Sequence, residues 1–338
     1  MIKTSGDRKG APLRRRSLVA GLAGGLAAPF VVPGLAHAQR HFPTRPVRVI
    51  CAYGAGGTAD IVARIVFAAM SARLGQQFVV ENRAGGAGQI AANAVVHAAA
   101  DGYTLLYDAT AHSVNPALFG DRLPYNTETD LLPIFLSMVA PNTINIGKSF
   151  AAHTVQQLID LAKASPRGLD AASTGVGSAQ HISIELFNMM AGVHLNHVVY
   201  RAAPDARNDM IAGRVAMQFG NVPGSVSLLQ SDEVRVLAHA GLVPIDVLPG
   251  VPPIADTLPG YETYEWNGIF APKGTSAEII GFLNTELNQT IRDPEVAGRL
   301  RTLGAITRAN TPEECAAFRR QQFELHARVV REAHITLE

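Results

Sequence analysis

The apolar positions fall into short runs punctuated by glycine, and the first of these runs defines a unit that the chain builds twice. Val47, Val49, Ile50 and Cys51, interrupted only by Arg48, predict a short buried strand, and Gly54, Gly56 and Gly57 follow it. Asp60 then opens a run in which Ile61, Ile65, Ala68 and Ala72 share one helical face, and Gly75 ends it. The first amides of a helix have no intrahelical partner and sit at the positive end of its dipole. Glycines just before them let an anion approach the bare backbone. This strand, turn and helix therefore form a candidate anion cradle.

The pattern continues with a strand at Phe78-Val79-Val80, ending at Glu81-Asn82-Arg83. Glycines 85, 86 and 88 follow, then an alanine-rich helix over 89–100 and a third strand over 103–107. The order β-α-β-α-β predicts a parallel sheet flanked by helices. Residues 111–135, with turn signals at Asn115-Pro116 and Leu123-Pro124, read as irregular, and Met138 to Ile146 as extended chain crossing into a second domain. There Thr154 with Gln157 predicts a capping box, and a short strand (169–172) meets a second glycine turn, Ser173 to Ser178. A helix carrying His181, Ile184, Leu186, Phe187 and Met190 comes next. Further strands are expected at 198–200, 215–219 and 234–238. The tail is helical: 276–292, 294–303, and a last helix capped by Thr311, with Pro312 at its first position and Glu314 completing the box. Two α/β lobes, each aiming helix N-termini at a shared cleft, follow from this order.

The N-terminus changes how the composition is read. Arg14-Arg15-Arg16 precede an uncharged apolar run from Leu18 to Val32 that ends in Ala36-His37-Ala38. A basic start, a short apolar core and a small-x-small site predict a signal peptide over 1–38, cleaved near Ala38, and hence a periplasmic protein. The arginines fit an ordinary secretory signal and a twin-arginine signal equally. Of the 29 basic and 28 acidic residues, six and one fall in this leader, so the mature chain keeps 23 and 27, a formal charge of −4. No basic stripe with interleaved aromatics occurs, which argues against nucleic acid as a partner. Cys51 and Cys315 read as two separately buried thiols rather than a disulfide.

The candidate chemistry is sparse. Gly54-x-Gly56-x-x-Ala59, with Glu81 ending the next strand, admits a dinucleotide reading, that of an exported NAD(P)-dependent oxidoreductase. Export away from soluble NAD(P), and Asp60 facing a pyrophosphate, weigh against it. Asp60 has two other readings: a helix-start acid, or an acceptor for a ligand's amino or hydroxyl group. Thr174 and Ser178 read either as simple capping, by Ser178, or as hydroxyl donors to a carboxylate, and the two are compatible. There is no G-x-S-x-G elbow and no H-E-x-x-H. His181, His194 and His197 lack tight ligand spacing, and Trp266 reads as core. No catalytic constellation and no metal or cofactor site is expected.

Several short motifs, in order along the chain, carry a family resemblance. They run from Arg45-Pro46-Val47-Arg48 through Ala55-Gly56-Gly57 with Asp60, Val80-Glu81-Asn82-Arg83 and Asp101 to Leu106. Ser173 to Ser178 with His181, His197-Val198-Val199-Tyr200, Trp266-x-Gly268 and Ala271-Pro272-x-Gly274-Thr275 complete the series. The mature chain resembles the Bug/TctC receptors of tripartite tricarboxylate transporters almost end to end. The resemblance implies an α/β, type II periplasmic-binding-protein fold, with lobe 1 over 39–141 plus 262–338 and lobe 2 over 142–261. It implies a non-enzymatic, monomeric receptor that captures a small organic acid or amino-acid-like carboxylate between the lobes and delivers it to a membrane permease. A ligand sensor for a signalling partner is the alternative in the same fold. The ligand loops map to Tyr53, Ala55, Gly56, Gly57, Thr58 and Asp60, and to Thr174, Gly175, Val176, Gly177, Ser178 and His181, with Tyr200 on the cleft wall. The chain departs from the family at Gly54 (usually proline), Ala59 (commonly threonine), Arg201-Ala202 (usually lysine-glycine) and Gly220-Asn221 (typically Phe-Asp).

Overall fold

The computed structural model describes residues 42–336 apart from 201, 202, 227 and 230. The export signal expected over 1–38 and the Arg201-Ala202 pair lie outside the described residues. The first lobe begins as the hydropathy pattern dictates: strand β1 (Val47–Cys51), helix α1 (Thr58–Leu74), β2 (Phe78–Asn82), α2 (Gln89–Val96) and β3 (Thr104–Ala109). β1 pairs in parallel with both β2 and β3. Alternate residues of β1 enter different cores: Val47, Val49 and Cys51 pack with α1 on one face, and Ile50 packs with Ala91 and Val95 of α2 on the other. Burial on both faces explains an apolar run interrupted only by the exposed Arg48. It also separates the thiols. Cys51 and Cys315 are free and buried on opposite faces of the sheet, and burial pushes them up to about 11 and about 12.

After helix α3 (Ala111–Phe119), the 17-residue strand β4 (Leu131–Gly147) passes from one lobe to the other. The second lobe contains α4 (Val155–Ala164), β5 (Leu169–Ser173), α5 (Ala179–Ala191), β6 (Leu195–Val199), α6 (Ala203–Ile211), β7 (Met217–Asn221), the single turn α7 (Val222–Val226) and β8 (Val234–His239). The chain returns through β9 (Tyr264–Pro272) to helices α8 (Ala277–Arg292), α9 (Pro294–Thr302) and α10 (Pro312–Glu332). The strands form one path, β2-β1-β3-β9-β4-β7-β5-β6, with β8 also on β4. Residues Leu131 to Pro141 of β4 pair with β9, and Asn142 onward with β7 and β8. Pro141, which has no N–H to donate, stands where the partner changes. At the return crossing the Asn142 N–H donates to the Thr263 carbonyl at 3.1 Å, and Ser183 binds both Thr263 and Tyr261. Both passages between lobes are thus stitched by buried hydrogen bonds.

The last helix ties the two halves. Cys315 belongs to a first-lobe core, whereas Val329 and Val330 pack with Ile144, Phe187 and Phe219 of the second. Arg319 donates to the carbonyls of Thr127, Glu128 and Leu131, anchoring the approach to β4. Near the middle of α10, His326 Nδ1 lies 2.8 Å from the Ser113 hydroxyl on α3.

Four local expectations require correction. The buried face of α1 is Val62, Val66, Phe67 and Met70; Ile61, Ala68 and Ala72 are exposed, and only Ile65 is buried as expected. The helix is apolar most of the way round, and Arg64 and Arg73 mark its wet side. Residues 111–135 are not uniformly irregular, because α3 forms despite Pro116. Its residues from His112 to Asn115 are buried, and that packing overrides the Asn-Pro turn signal. Helix α2 ends at Val96 rather than Ala100. Thr154 caps α4 as expected, but Gln157 Oε1 accepts from His153 N–H, so the box is not closed. The Thr311–Glu314 box is complete. Among the described residues, no helix is long and apolar enough to cross a membrane.

Burial pushes the His326 imidazole down to about 3, so the folded chain keeps it neutral while the unfolded chain protonates it below about 6.5. Its contribution is complete above that pH and lost progressively as pH falls toward 3. Thermal unfolding from pH 7 to 4 should therefore show stability falling with acid. His326→Gln should make that fall shallower by up to about 1.4 kcal/mol per pH unit. An identical slope in the variant would contradict the assignment.

Candidate functional site

The first turns of five helices meet at one cavity of about 800 Å³. From the first lobe come Gly57 and Thr58 of α1, Gly88 before α2, and Thr110 and Ala111 at the start of α3. From the second come Ser178 to Gln180 of α5 and Ala203 and Pro204 of α6. In a parallel α/β sheet every helix that follows a strand points its N-terminus toward the same edge, and the cavity lies at that edge. No side chain caps α1, α2 or α3. Their first-turn N–H groups and dipoles make the wall electropositive without a dense cluster of cations.

The first glycine turn is held from behind. Gly56 has φ +80°, a conformation that a β-branched residue resists, and its N–H donates to Asp60 Oδ2 at 2.9 Å. Asp60 is 3% exposed, and its Oδ1 accepts from Asn82 Nδ2 (2.8 Å) and Arg64 (2.9 Å). Asn82 Nδ2 also donates to the Tyr53 carbonyl. Burial opposes ionisation of Asp60, but these donors outweigh it and hold the carboxyl below its usual range. Both oxygens of Asp60 are therefore spent on shaping the turn.

The second turn is supported in the same manner. Ser178 Oγ accepts from the His181 N–H, which is the capping role, and Gly177 N–H donates to His181 Nδ1 at 3.1 Å. Gly177 has φ +74°, which strains any other residue, and a Cβ there would come within 2.9 Å of Leu118 Cδ2 and force it to shift. His181 stacks on His197 with ring centroids 3.7 Å apart, and its Nε2 lies 3.6 Å from Glu185. Burial, with His181 beside it, lowers His197 to about 4. The Thr174 hydroxyl donates to Gln180 Oε1, fixing that amide's orientation.

Of the residues expected at the ligand loops, Tyr53, Gly56, Gly57, Thr58, Thr174, Gly175, Val176, Gly177 and Ser178 line the cavity. Ala55 is exposed beside it, Asp60 and His181 lie beneath the turns, and Tyr200 donates to Asp209 away from the wall. Among the described residues the charged side chains on the wall are Arg207 and Glu265. Neither was singled out by the sequence, nor were Gly88, Thr110 or Ala203. Glu265 follows no glycine turn; it reaches the cavity because β9 crosses between lobes there. Its Oε2 accepts from Gln180 Nε2 at 3.2 Å and from Asn221 Nδ2. Burial pushes its carboxyl above the usual range, although these two donors oppose the shift.

The acid required by a dinucleotide reading, Glu81, is held by a bidentate pair with Arg48 at 2.8–2.9 Å. Among the described residues no group of three or more His, Cys, Asp or Glu side chains could hold a metal ion.

Residues 62–335 match the model of the tripartite tricarboxylate transporter family receptor. The "UPF0065 protein in tcbD-tcbE intergenic region" of Pseudomonas sp. (strain P51) is 36% identical over 310 residues, covering 90% of each chain. An R. palustris protein solved with adipate superposes with a TM-score of 0.80 at 33% identity, covering 87% of this chain and 99% of that one. MatC from Rhodopseudomonas palustris, with bound malate, gives 0.76 at 29% identity over 86% and 100% of the two chains.

Removing the Asp60 carboxylate frees the Gly56 N–H and leaves Asn82 and Arg64 without their common acceptor. Asp60→Ala should lower stability by roughly 1.5–3 kcal/mol and accelerate hydrogen exchange at the amides of 54–58. Exchange at parental rates would show that the turn does not depend on this acid.

Proposed function

The chain belongs to the tripartite tricarboxylate transporter receptor family, and on that footing we propose that it is an extracytoplasmic receptor that captures a small carboxylate between its lobes and presents it to membrane permease subunits. The observation that carries this reading is the convergence of five helix N-termini on one cavity. Backbone N–H groups at helix starts bind carboxylates through charge-assisted hydrogen bonds, stronger than neutral ones, and gain further when water is excluded. Relatives solved with adipate and with malate support the same ligand chemistry. Receptors of this family are periplasmic, which agrees with the leader expected over 1–38.

In this reading the ligand carboxylate meets the first-turn amides of α1 on one side, and the Thr174–Ser178 turn with the start of α5 closes on the other. Asp60 and His181 act through the turns they shape, and Tyr53, Thr58 and Thr174 contribute wall contacts. The lobes are residues 39–141 plus 262–338 and residues 142–261, and closure hinges at Pro141–Asn142 and at 261–264. A ligand shifts such an equilibrium only by its differential affinity for the closed state, which touching both walls supplies.

The test is a thermal-shift panel of mono-, di- and tricarboxylates, amino acids, aromatic acids and NAD(P). A ligand at a hundred times its dissociation constant adds about 2.7 kcal/mol to stability. Shifts confined to one class of carboxylate are expected; a shift with NAD(P) alone would overturn the receptor reading. Gly57→Val should abolish the carboxylate shift while leaving the unliganded melting temperature near the parent's. The backbone there is extended (φ −77°), and an added Cβ meets only the Gly54 carbonyl oxygen at 3.5 Å.

A further inference from the structure

Glu265 places a condition on the ligand that the helix termini do not. A wall built from helix N-termini favours any anion, yet a carboxylate side chain stands in the same cavity. Its position is fixed by two oriented amides. Asn221 Oδ1 accepts the Gly224 N–H at 2.8 Å and Gln180 Oε1 accepts the Thr174 hydroxyl at 3.1 Å, so each amide presents its NH₂ group to Glu265 Oε2. Burial raises the carboxyl above its usual range, and the two N–H donors on one oxygen oppose that shift by favouring the ionised form. The other oxygen, Oε1, has no protein partner among the described residues. Arg207 is the other charged residue on the wall among the described residues.

When the lobes close on a ligand, this carboxylate loses its remaining water, and a countercharge from the ligand is what would keep it ionised. A buried unpaired charge is strongly unfavourable, and a second carboxylate beside it is worse. A neutral hydroxyl would hydrogen-bond Oε1 without cancelling the charge, whereas an ammonium does both. Asp60 cannot take this part, because Gly56, Asn82 and Arg64 occupy both of its oxygens. We infer that Glu265 makes the cleft selective for carboxylates that also carry an ammonium group, amino-acid-like zwitterions whose carboxylate lies on the helix N-termini and whose ammonium lies on Glu265. The inference rests on the carboxylate-receptor reading and narrows it.

Titration calorimetry of the mature protein at pH 7.5 tests it, with ligand pairs differing only in the amino group: aspartate and succinate, glutamate and glutarate, 6-aminohexanoate and hexanoate. In at least one pair the ammonium-bearing member should bind about tenfold tighter or better. Glu265→Gln, which keeps size and polarity, should bring the two members within about threefold of each other, with binding of the des-amino acid unchanged or improved. Equal or tighter binding of the des-amino acids by the parent protein would overturn the inference while leaving the carboxylate reading intact. Retention of the preference in Glu265→Gln would also overturn it. Tight binding of succinate or glutarate only at acid pH, with that dependence lost in the variant, would overturn it in favour of a protonated Glu265 donating to the ligand. If no carboxylate of either kind binds, the receptor reading itself fails and takes this inference with it.

Discussion

A helix N-terminus leaves donors unsatisfied, and this fold gathers five of them at one edge of a sheet. Elsewhere such donors are met by a side-chain cap, as Ser276 does for α8 and Asp293 for α9. Helices α1, α2 and α3 have no side-chain cap, and all three begin at the cavity. The arrangement follows from chain topology. Strands β1, β2 and β3 run parallel, as do β5, β6 and β7, so helices that follow strands start on the same side.

Convergent donors are useful only if the turns that carry them keep their shape, and most polar groups near the cavity serve that purpose. Asp60, Asn82 and Arg64 form a buried brace under the first turn; His181, Ser173 and His197 form one under the second. A preorganised turn loses less conformational freedom when a ligand arrives, which is where affinity is gained at a polar site. The chain passes between the halves at the strand crossings Pro141–Asn142 and near Thr263, and α10 packs on both.

Much of the fold was legible because local and tertiary signals agree. The apolar run of β1, the glycine before α1, the Gly75 terminus with φ +65° and the Thr311–Glu314 box all read correctly from neighbouring residues. Failures arose where distant packing decided the outcome. Ala-rich α1 offers two apolar stripes, and only contact with the sheet selects Val62, Val66 and Met70 over Ile61 and Ala68. Helix α3 carries Asn115-Pro116 and forms because α10 and the second core cover it. The site divides in the same way. Both glycine turns announce themselves, whereas Glu265 sits on a strand beside Trp266-x-Gly268, a pattern that marks the neighbouring residues and not the acid. Its Asn221 and Gln180 partners lie 44 and 85 positions away. Asp60 drew attention as an acid beside a glycine turn, but its spacing alone could not show that it faces inward.

In the proposed function, uncapped helix N-termini receive the ligand's carboxylate. A crystal structure of the mature protein with the carboxylate that gives the largest thermal shift tests this most directly. Carboxylate oxygens are expected within about 3.1 Å of first-turn N–H groups of α1, with the Thr174–Ser178 turn closed over them. A ligand bound in the cavity with its carboxylate turned to solvent or to Arg207 alone would contradict it, as would a ligand bound elsewhere on the molecule.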